Sequence, residues 1–421
     1  MKIGIIGLGY VGLPLCLQFA KSGANVVGFD LDPNKTEAIN CGESYIKHIP
    51  NESVRIQLDC GRLEATTEFA RVQELEAVLI CVPTPLDKEG EPDLSFVLNT
   101  AHSIAPHLPE GITVVLESTT YPGTTEEELR PILESGSGMK AGEGFYLAYS
   151  PEREDPGNPD SHVAKIPKVI GGCTEKCLEK AKAVYSIAIE TLVPVSSCRA
   201  AEATKLLENI FRCVNIALVN ELKIIYKKLG IDIWEVIDAA KTKPFGYMPF
   251  YPGPGLGGHC IPIDPFYLSW KAKQQGVDAR FIELAGEVNN SMPDYVISRC
   301  EELLKQHDKT IEGSRVLIFG LAYKPNVDDD RESPSYVIME KLESLGAEVD
   351  YHDPHIPVIQ PNRGYKRFAG RESVAPNDSY DLFLLVTEHK EFSAKKIERF
   401  GVPMVDSRHL GNGTEKNWIY A

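Results

Sequence analysis

A chain of 421 residues with a formal net charge of −16 is too long for one ordinary core and too acidic for a broad nucleic-acid or anionic-lipid surface, both of which need clustered Lys and Arg. Hydrophobic residues at 43% and charged residues at 25% give the balance of a globular protein of two or three domains. No apolar run reaches the roughly 18 residues of a membrane helix and the N-terminus carries no secretory pattern, so a cytoplasmic protein with no membrane and no nucleic-acid partner is expected.

The opening Lys2–Ile6 reads as an apolar strand, followed by Gly7-Leu8-Gly9-Tyr10-Val11-Gly12 and a helical pattern through Leu13, Leu17 and Ala20. A second strand, Asn25 to Phe29, ends at Asp30, 23 residues beyond Gly7, which is the spacing of a dinucleotide fingerprint. In such a turn glycine lets the backbone approach a pyrophosphate, and the helix N-terminus supplies N–H groups and partial positive charge. Asp30 then binds ribose hydroxyls and repels a 2′-phosphate, which selects NAD.

Further strands are predicted at Ala77–Val82, Thr113–Glu117 and Phe145–Tyr149, an alternation with helices that implies a parallel sheet. Ser150-Pro151-Glu152-Arg153-Glu154 follows a strand end, where ligands gather in such sheets. From Arg199 to Leu229 runs a helical pattern about 45 Å long. Leu206, Leu207, Ile210, Phe211, Val214, Ile216, Leu218, Val219 and Leu222 spread around it, which predicts burial on several sides and a subunit interface. Lys205 and Asn209 share one face of this helix, with Arg212 a turn further. An ammonium on so apolar a helix needs an anionic partner, either a developing oxyanion or a salt-bridge carboxylate.

The most informative stretch is Gly253-Pro254-Gly255-Leu256-Gly257-Gly258-His259-Cys260-Ile261-Pro262-Ile263-Asp264, a glycine-rich loop that ends in a thiol and, four residues on, a carboxylate. A second βαβ unit follows at Arg315–Pro354, ending at Asp353 but lacking the full glycine fingerprint. Lys324 and Arg331 lie just beyond its first strand, suited to phosphate, although Asp328 to Asp330 could equally pair Arg331. The other cysteines, including Cys173 and Cys177, form no pattern that completes a metal site, and none is expected.

These motifs resemble the UDP-glucose/GDP-mannose dehydrogenase family over essentially the whole chain: the N-terminal fingerprint, Val82-Pro83-Thr84-Pro85, Glu117-Ser118-Thr119, Pro151-Glu152, Lys205 with Asn209, the loop to Cys260 and Asp264, and Lys324 with Arg331. The resemblance implies an α/β fold of two Rossmann-like parallel-sheet domains joined by a long central helix and a helical middle domain. The expected divisions are 1–195 for NAD, 196–305 for the central and dimerisation region, and 306–421 for the UDP-sugar.

It also implies a homodimer that oxidises the C6 hydroxyl of a UDP-sugar to a carboxylate, using two NAD and a covalent cysteine intermediate. By resemblance Cys260 is the nucleophile, Lys205 and Asn209 are oxyanion donors, and Asp264, Glu152 and Thr119 handle water and protons. Gly7, Gly9, Tyr10, Val11, Gly12, Asp30, Lys35, Pro83, Thr84, Thr119 and Arg331 are the expected cofactor contacts. Glu152, Arg153, Lys205, Asn209, Arg212, Tyr251, Gly253, Gly255, Gly257, Lys324 and Arg408 are the expected substrate contacts.

The run Phe250–Asp264 and the loop Glu152–Asp155 depart from the UDP-glucose branch and resemble the branch acting on UDP-N-acetylglucosamine in bacterial surface polysaccharide synthesis. UDP-N-acetylgalactosamine, UDP-N-acetylmannosamine and UDP-glucose are the alternatives. A single-step hydroxyacid dehydrogenase or a non-catalytic NAD sensor shares the fingerprint but has no use for Cys260.

Overall fold

Strand β1 (Lys2–Ile6) is followed by α1 (Gly12–Lys21) and β2 (Asn25–Phe29), and every residue of β1 after Lys2 is buried because helices cover both faces of the sheet it joins. The computed structural model describes the chain except for residues 48, 154–163, 259–260, 362–363, 412, 414 and 416. It divides into two units, Met1–Glu208 with Phe266–Val277, and Asn209–Pro265 with Asp278–Ala421.

In the first unit β3 (Leu63–Thr66), β4 (Ala77–Ile80), β5 (Thr113–Leu116), β6 (Tyr146–Tyr149), β7 (Lys168–Gly172) and β8 (Leu192–Val195) complete a sheet of order β3-β2-β1-β4-β5-β6-β7-β8. Its helices are α2 (Pro33–Asn40), α3 (Asn51–Asp59), α4 (Ser95–Ile104), α5 (Arg130–Ser137) and α6 (Glu175–Tyr185). The strand order reverses direction between β1 and β4, which opens the crevice at the carboxyl ends where doubly wound sheets bind ligands. One face packs Ile3, Ile5, Leu13 and Phe19, the other Val27, Phe29, Ile80 and Val97.

All pairings in this sheet are parallel except β6 with β7, which is antiparallel. The sequence reading did not foresee β7 or β8. Gly171 and Gly172 blur the strand signal in β7, yet both are required: a Cβ on Gly171 would lie 2.1 Å from the Ser197 carbonyl oxygen, and one on Gly172 would lie 2.3 Å from the Leu178 nitrogen.

The predicted long helix is α7 (Cys198–Lys228), which starts in one unit and ends in the other. It is not buried all round. Leu206, Cys213, Asn220 and Lys223 are buried, whereas Leu207, Phe211, Leu218 and Ile225 are 44–66% exposed, so an apolar stripe stays open. Next come α8 (Ile233–Ala240), α9 (Asp264–Gln274) and α10 (Arg280–Gln306).

The second sheet contains β9 (Arg315–Phe319), β10 (Glu348–His352), β11 (Leu382–Leu385), β12 (Met404–Asp406) and β13 (Trp418–Tyr420) in the order β10-β9-β11-β12-β13, all parallel. Helices α11 (Pro334–Ser344) and α12 (Ala394–Glu398) belong to it. Two Rossmann-like parallel arrangements are therefore present. Among the described residues, no helix is long and apolar enough to cross a membrane.

Candidate functional site

The turn after β1 shows what each glycine is for. Gly7 has φ +94°, and a Cβ there would lie 2.7 Å from the Cys81 carbonyl oxygen; one on Gly12 would lie 1.9 Å from that of Gly7. Gly9 differs, because among the described residues no atom outside its immediate chain neighbours comes within 4 Å of a Cβ built on it. Gly7 and Gly12 thus let the strand and helix pack, and Gly9 leaves the backbone open to an approaching pyrophosphate. Tyr10 and Val11 are half-buried at the start of α1, which has no acidic residue in its first turn.

Asp30 closes the turn from the end of β2. Its carboxylate accepts the Leu8 N–H at 2.9 Å and the Asp32 N–H at 3.0 Å, and Lys35 Nζ lies 3.1 Å away. The two neighbouring strand ends are joined: Ser118 Oγ donates to the Val82 carbonyl at 2.7 Å, between the segments carrying Pro83, buried Thr84 and half-buried Thr119. The Thr84 carbonyl in turn accepts the Tyr267 hydroxyl at 2.9 Å.

Beyond β6, Glu152 is set by a residue the sequence reading passed over. Lys168, in buried β7, places Nζ 3.1 Å from Glu152 Oε2 and 2.8 Å from Glu117 Oε2. Burial pulls the Lys168 pKa down, but the Glu117 and Glu152 carboxylates more than reverse this and hold it above the ordinary lysine range. Tyr185 donates to the other oxygen of Glu117. Arg153 is committed nearby, with NH2 2.6 Å from Glu208 Oε1 and NH1 2.6 Å from the Pro167 carbonyl oxygen. Glu154 and Asp155 lie outside the described residues. Lys205 is half-buried on α7.

In the second unit, Asn209 Nδ2 donates to Asp264 Oδ2 at 2.5 Å, and both residues are buried. A bond between groups 55 residues apart joins two positions that the sequence singled out separately. Cys260 and His259 lie outside the described residues. The loop before them is held at its start: Gly253 N–H donates to Asn220 Oδ1 at 2.9 Å, and Asn220 Nδ2 donates to Asn289 Oδ1 at 2.9 Å. Its glycines accommodate the protein itself. A Cβ on Gly253 would lie 2.7 Å from an Arg408 guanidinium nitrogen, and one on Gly257 or Gly258 would lie 2.7 Å from Tyr323. Gly255 is in the positive-φ region at +144°.

Tyr251 stacks on Trp234 at 5.4 Å, and Trp234 stacks on His409 at 5.1 Å. Arg408 Nε donates to the Val386 carbonyl at 2.7 Å. Arg331 is exposed and bidentate to Asp329, with NH2 2.6 Å from Oδ2, so its charge has the neighbour that the sequence left open as one alternative. Lys324 is half-buried, and Arg212 is exposed on α7.

Three family models match in succession: the NAD binding domain over residues 1–189, the central domain over 199–291 and the UDP binding domain over 317–410. The chain belongs to the UDP-glucose/GDP-mannose dehydrogenase family. It is similar to a UDP-N-acetyl-D-glucosamine 6-dehydrogenase of Pseudomonas aeruginosa, 35% identical with 95% of this chain and 94% of the relative covered. It is also similar to a UDP-N-acetyl-D-mannosamine dehydrogenase of Escherichia coli, at 37%, 93% and 94%.

Among solved structures, a UDP-D-ManNAc dehydrogenase from Pyrococcus horikoshii superposes with a TM-score of 0.89 at 30% identity, covering all of this chain and 98% of that one. The family member described here is thus an NAD-dependent dehydrogenase of UDP-sugars, and the geometry around Gly9 and Asp30 fits that cofactor.

Sequence reasoning missed Lys168 and Trp234, and named Glu117 only as part of a motif without a role. A lysine inside an otherwise apolar strand was the available signal for the first, since it needs a buried anion.

Two outcomes are expected. Asp30→Asn should weaken NAD binding and raise NADP use, because the repelling charge goes while Lys35 remains; fluorescence titration with both coenzymes checks it, and an unchanged preference counts against this role. Asn209→Ala should lower kcat by roughly a hundred-fold or more if the amide acts at the reacting centre. Removing the donor should also cost about 1–3 kcal/mol in a denaturant titration. Lost stability with normal kcat would make the bond to Asp264 structural only.

Proposed function

We propose that this enzyme oxidises the C6 hydroxyl of UDP-N-acetylglucosamine to the carboxylate in two NAD-dependent steps through a covalent intermediate on Cys260, as a cytoplasmic homodimer serving surface polysaccharide synthesis. The observation that carries the two-step reading is the buried Asn209–Asp264 bond, four residues from Cys260 in sequence. A one-step alcohol dehydrogenase needs neither a thiol there nor a buried carboxylate four residues on.

Bound NAD accepts one hydride in each oxidation. In the first, a base removes the hydroxyl proton, and Lys205 and Asn209 donate to the oxyanion as it forms. The Cys260 thiolate adds to the resulting aldehyde and forms a thiohemiacetal, from which the second oxidation leaves a thioester. Water then cleaves the C–S bond, and Asp264 or Glu152 takes its proton while Thr119 orients it. One alcohol, two NAD and one water yield one carboxylate, two NADH and three protons. Lys168, 3.1 Å from Glu152 Oε2, orients that carboxylate for such a task.

The sugar assignment rests on the sequence from Phe250 to Asp264 and on relatives named for UDP-N-acetyl-D-glucosamine. Others named for UDP-N-acetyl-D-mannosamine make that epimer the principal alternative. An acetamido group supplies a donor, an acceptor and a methyl, and a site satisfied by these rejects a sugar that lacks them. Arg153, tied to Glu208 and Pro167, is a poor candidate for holding it. The domain reading 1–195, 196–305 and 306–421 assigns cofactor, dimerisation and UDP-sugar to successive segments.

The homodimer is supported by the exposed stripe Leu207, Phe211, Leu218 and Ile225 on α7, which would be covered by the same surface of a second copy. Phe211→Arg with Leu218→Arg should then give a monomer by light scattering; a wild-type monomer removes this part.

NADH release from a panel of UDP-sugars tests the rest. UDP-N-acetylglucosamine should give the highest kcat/KM and two NADH per sugar. Cys260→Ser should bind NAD normally yet lose acid formation. Two NADH at the normal rate from that variant would sink the covalent scheme, and a preference for UDP-N-acetylmannosamine would sink only the sugar.

A further inference from the structure

Asn209, Cys213, Asn220 and Lys223 line the buried face of α7. The first and third have found partners, but the Lys223 ammonium has not: the residue is 5% exposed, and Nζ makes no hydrogen bond among the described residues. An ammonium carries three donors, and leaving them unmet away from water is costly. Its position is therefore unexplained by the protein's own stability.

The charged groups around it do not solve the problem. Lys227 comes from the same helix, Arg299 from α10, and Asp406 and Arg408 from the end of β12. The single carboxylate, Asp406, accepts the Arg408 N–H at 2.8 Å and the Gly411 N–H at 3.0 Å. Arg299 is bound to Glu302 and to the Tyr420 carbonyl. Arg408 lies against Gly253, whose N–H is held by Asn220, one helical turn from Lys223. Two cations, one of them unpartnered, thus adjoin the start of the glycine loop within a single unit.

We propose that Lys223 is a phosphate ligand of the UDP-sugar, its ammonium receiving the diphosphate charge together with the guanidinium of Arg408. The inference rests on the assignment of UDP-sugars as substrates and adds a residue to it. A compact ammonium suits a diphosphate oxygen, and Arg408 supplies the second, planar cation.

Recognition is then linked to a proton. Burial, followed by the Arg408 charge, pushes the Lys223 pKa down to about 7. Above that pH the ligand-free amine is mostly neutral, and an arriving diphosphate draws a proton onto it. The stability sign follows. Because the folded pKa lies below the ordinary 10.5, this group's contribution is full above about pH 10.5 and is lost as pH falls towards 7.

Calorimetric titration of the full-length protein with UDP at pH 8, in two buffers of different ionisation heat, tests this. Wild type should take up a proton on binding. Lys223→Met should bind UDP about 10- to 100-fold more weakly without that uptake, as expected for one lost charge-assisted bond. Lys223→Arg should keep most of the affinity but lose the uptake, since arginine stays charged. At pH 7 the ligand-free Met variant should melt no lower than wild type, whereas a purely structural lysine would lower it. Equal UDP affinity in wild type and Lys223→Met, or proton uptake retained in Lys223→Arg, overturns the inference alone. Failure of wild type to bind UDP would remove the UDP-sugar assignment as well.

Discussion

A charge taken out of water costs several kcal/mol unless opposite charge or oriented dipoles replace the solvent. In this chain that requirement links sequence-distant residues at each important point. Lys168 sits between Glu117 and Glu152, and Asp264 faces Asn209. Glu202, buried on α7, accepts the Gly123 N–H at 2.6 Å and both the N–H and the hydroxyl of Thr125. Each of these fixes a side chain more tightly than apolar packing would, because only one geometry satisfies the charge.

The same requirement separates the two Rossmann-like halves. In both, an aspartate at the end of the second strand accepts an N–H from the turn after the first: Asp30 from Leu8 at 2.9 Å, and Asp353 from Leu321 at 2.7 Å. Both turns begin with a glycine at positive φ, Gly7 at +94° and Gly320 at +85°. Thereafter they diverge. Asp30 is partly accessible and, besides the Asp32 N–H, its other partner is Lys35, a half-exposed lysine whose contact is weak and easily exchanged. Asp353 is fully buried and spends its oxygens on Leu321, Ala322, His355, Ile356 and His389. An aspartate so engaged has nothing left for a ribose. The second half keeps the architecture of a dinucleotide turn as structural bracing, and the first keeps it as a binding site.

Legibility in the sequence followed the range of the interaction. Local periodicity and turn chemistry were enough for β1, β2 and α7, whose limits match the reading to within a residue, and for the glycine fingerprint. Strand β7 was missed because its lysine and two glycines obey distant neighbours rather than local preference. The apolar residues of α7 were visible, but which of them stay exposed depends on what packs against the helix. The Arg331 alternative, open in sequence, depended on a side-chain rotamer. Pairings such as Asn209 with Asp264 carry no one-chain signal at all, since nothing local in either segment specifies the other.

The glycine loop shows how such distant constraints bear on catalysis. Read locally, its four glycines, with a proline, suggest a rigid loop whose backbone can press against a ligand. Their actual neighbours are Arg408, Tyr323 and Pro334, packed so closely that a Cβ would collide, while Asn220 anchors the first N–H and the Arg331 carbonyl accepts the Gly258 N–H at 3.1 Å. A loop without side chains can be gripped on its backbone from several directions, and that makes it rigid. On the proposed covalent mechanism this rigidity would matter, because orientation of a nucleophile accounts for much of the rate of a reaction in which it must meet a transient aldehyde. Of the residues that grip the loop, Arg408 is also the cation proposed above to hold phosphate, so on that proposal substrate recognition and the loop that leads to Cys260 in sequence would share one mechanical support.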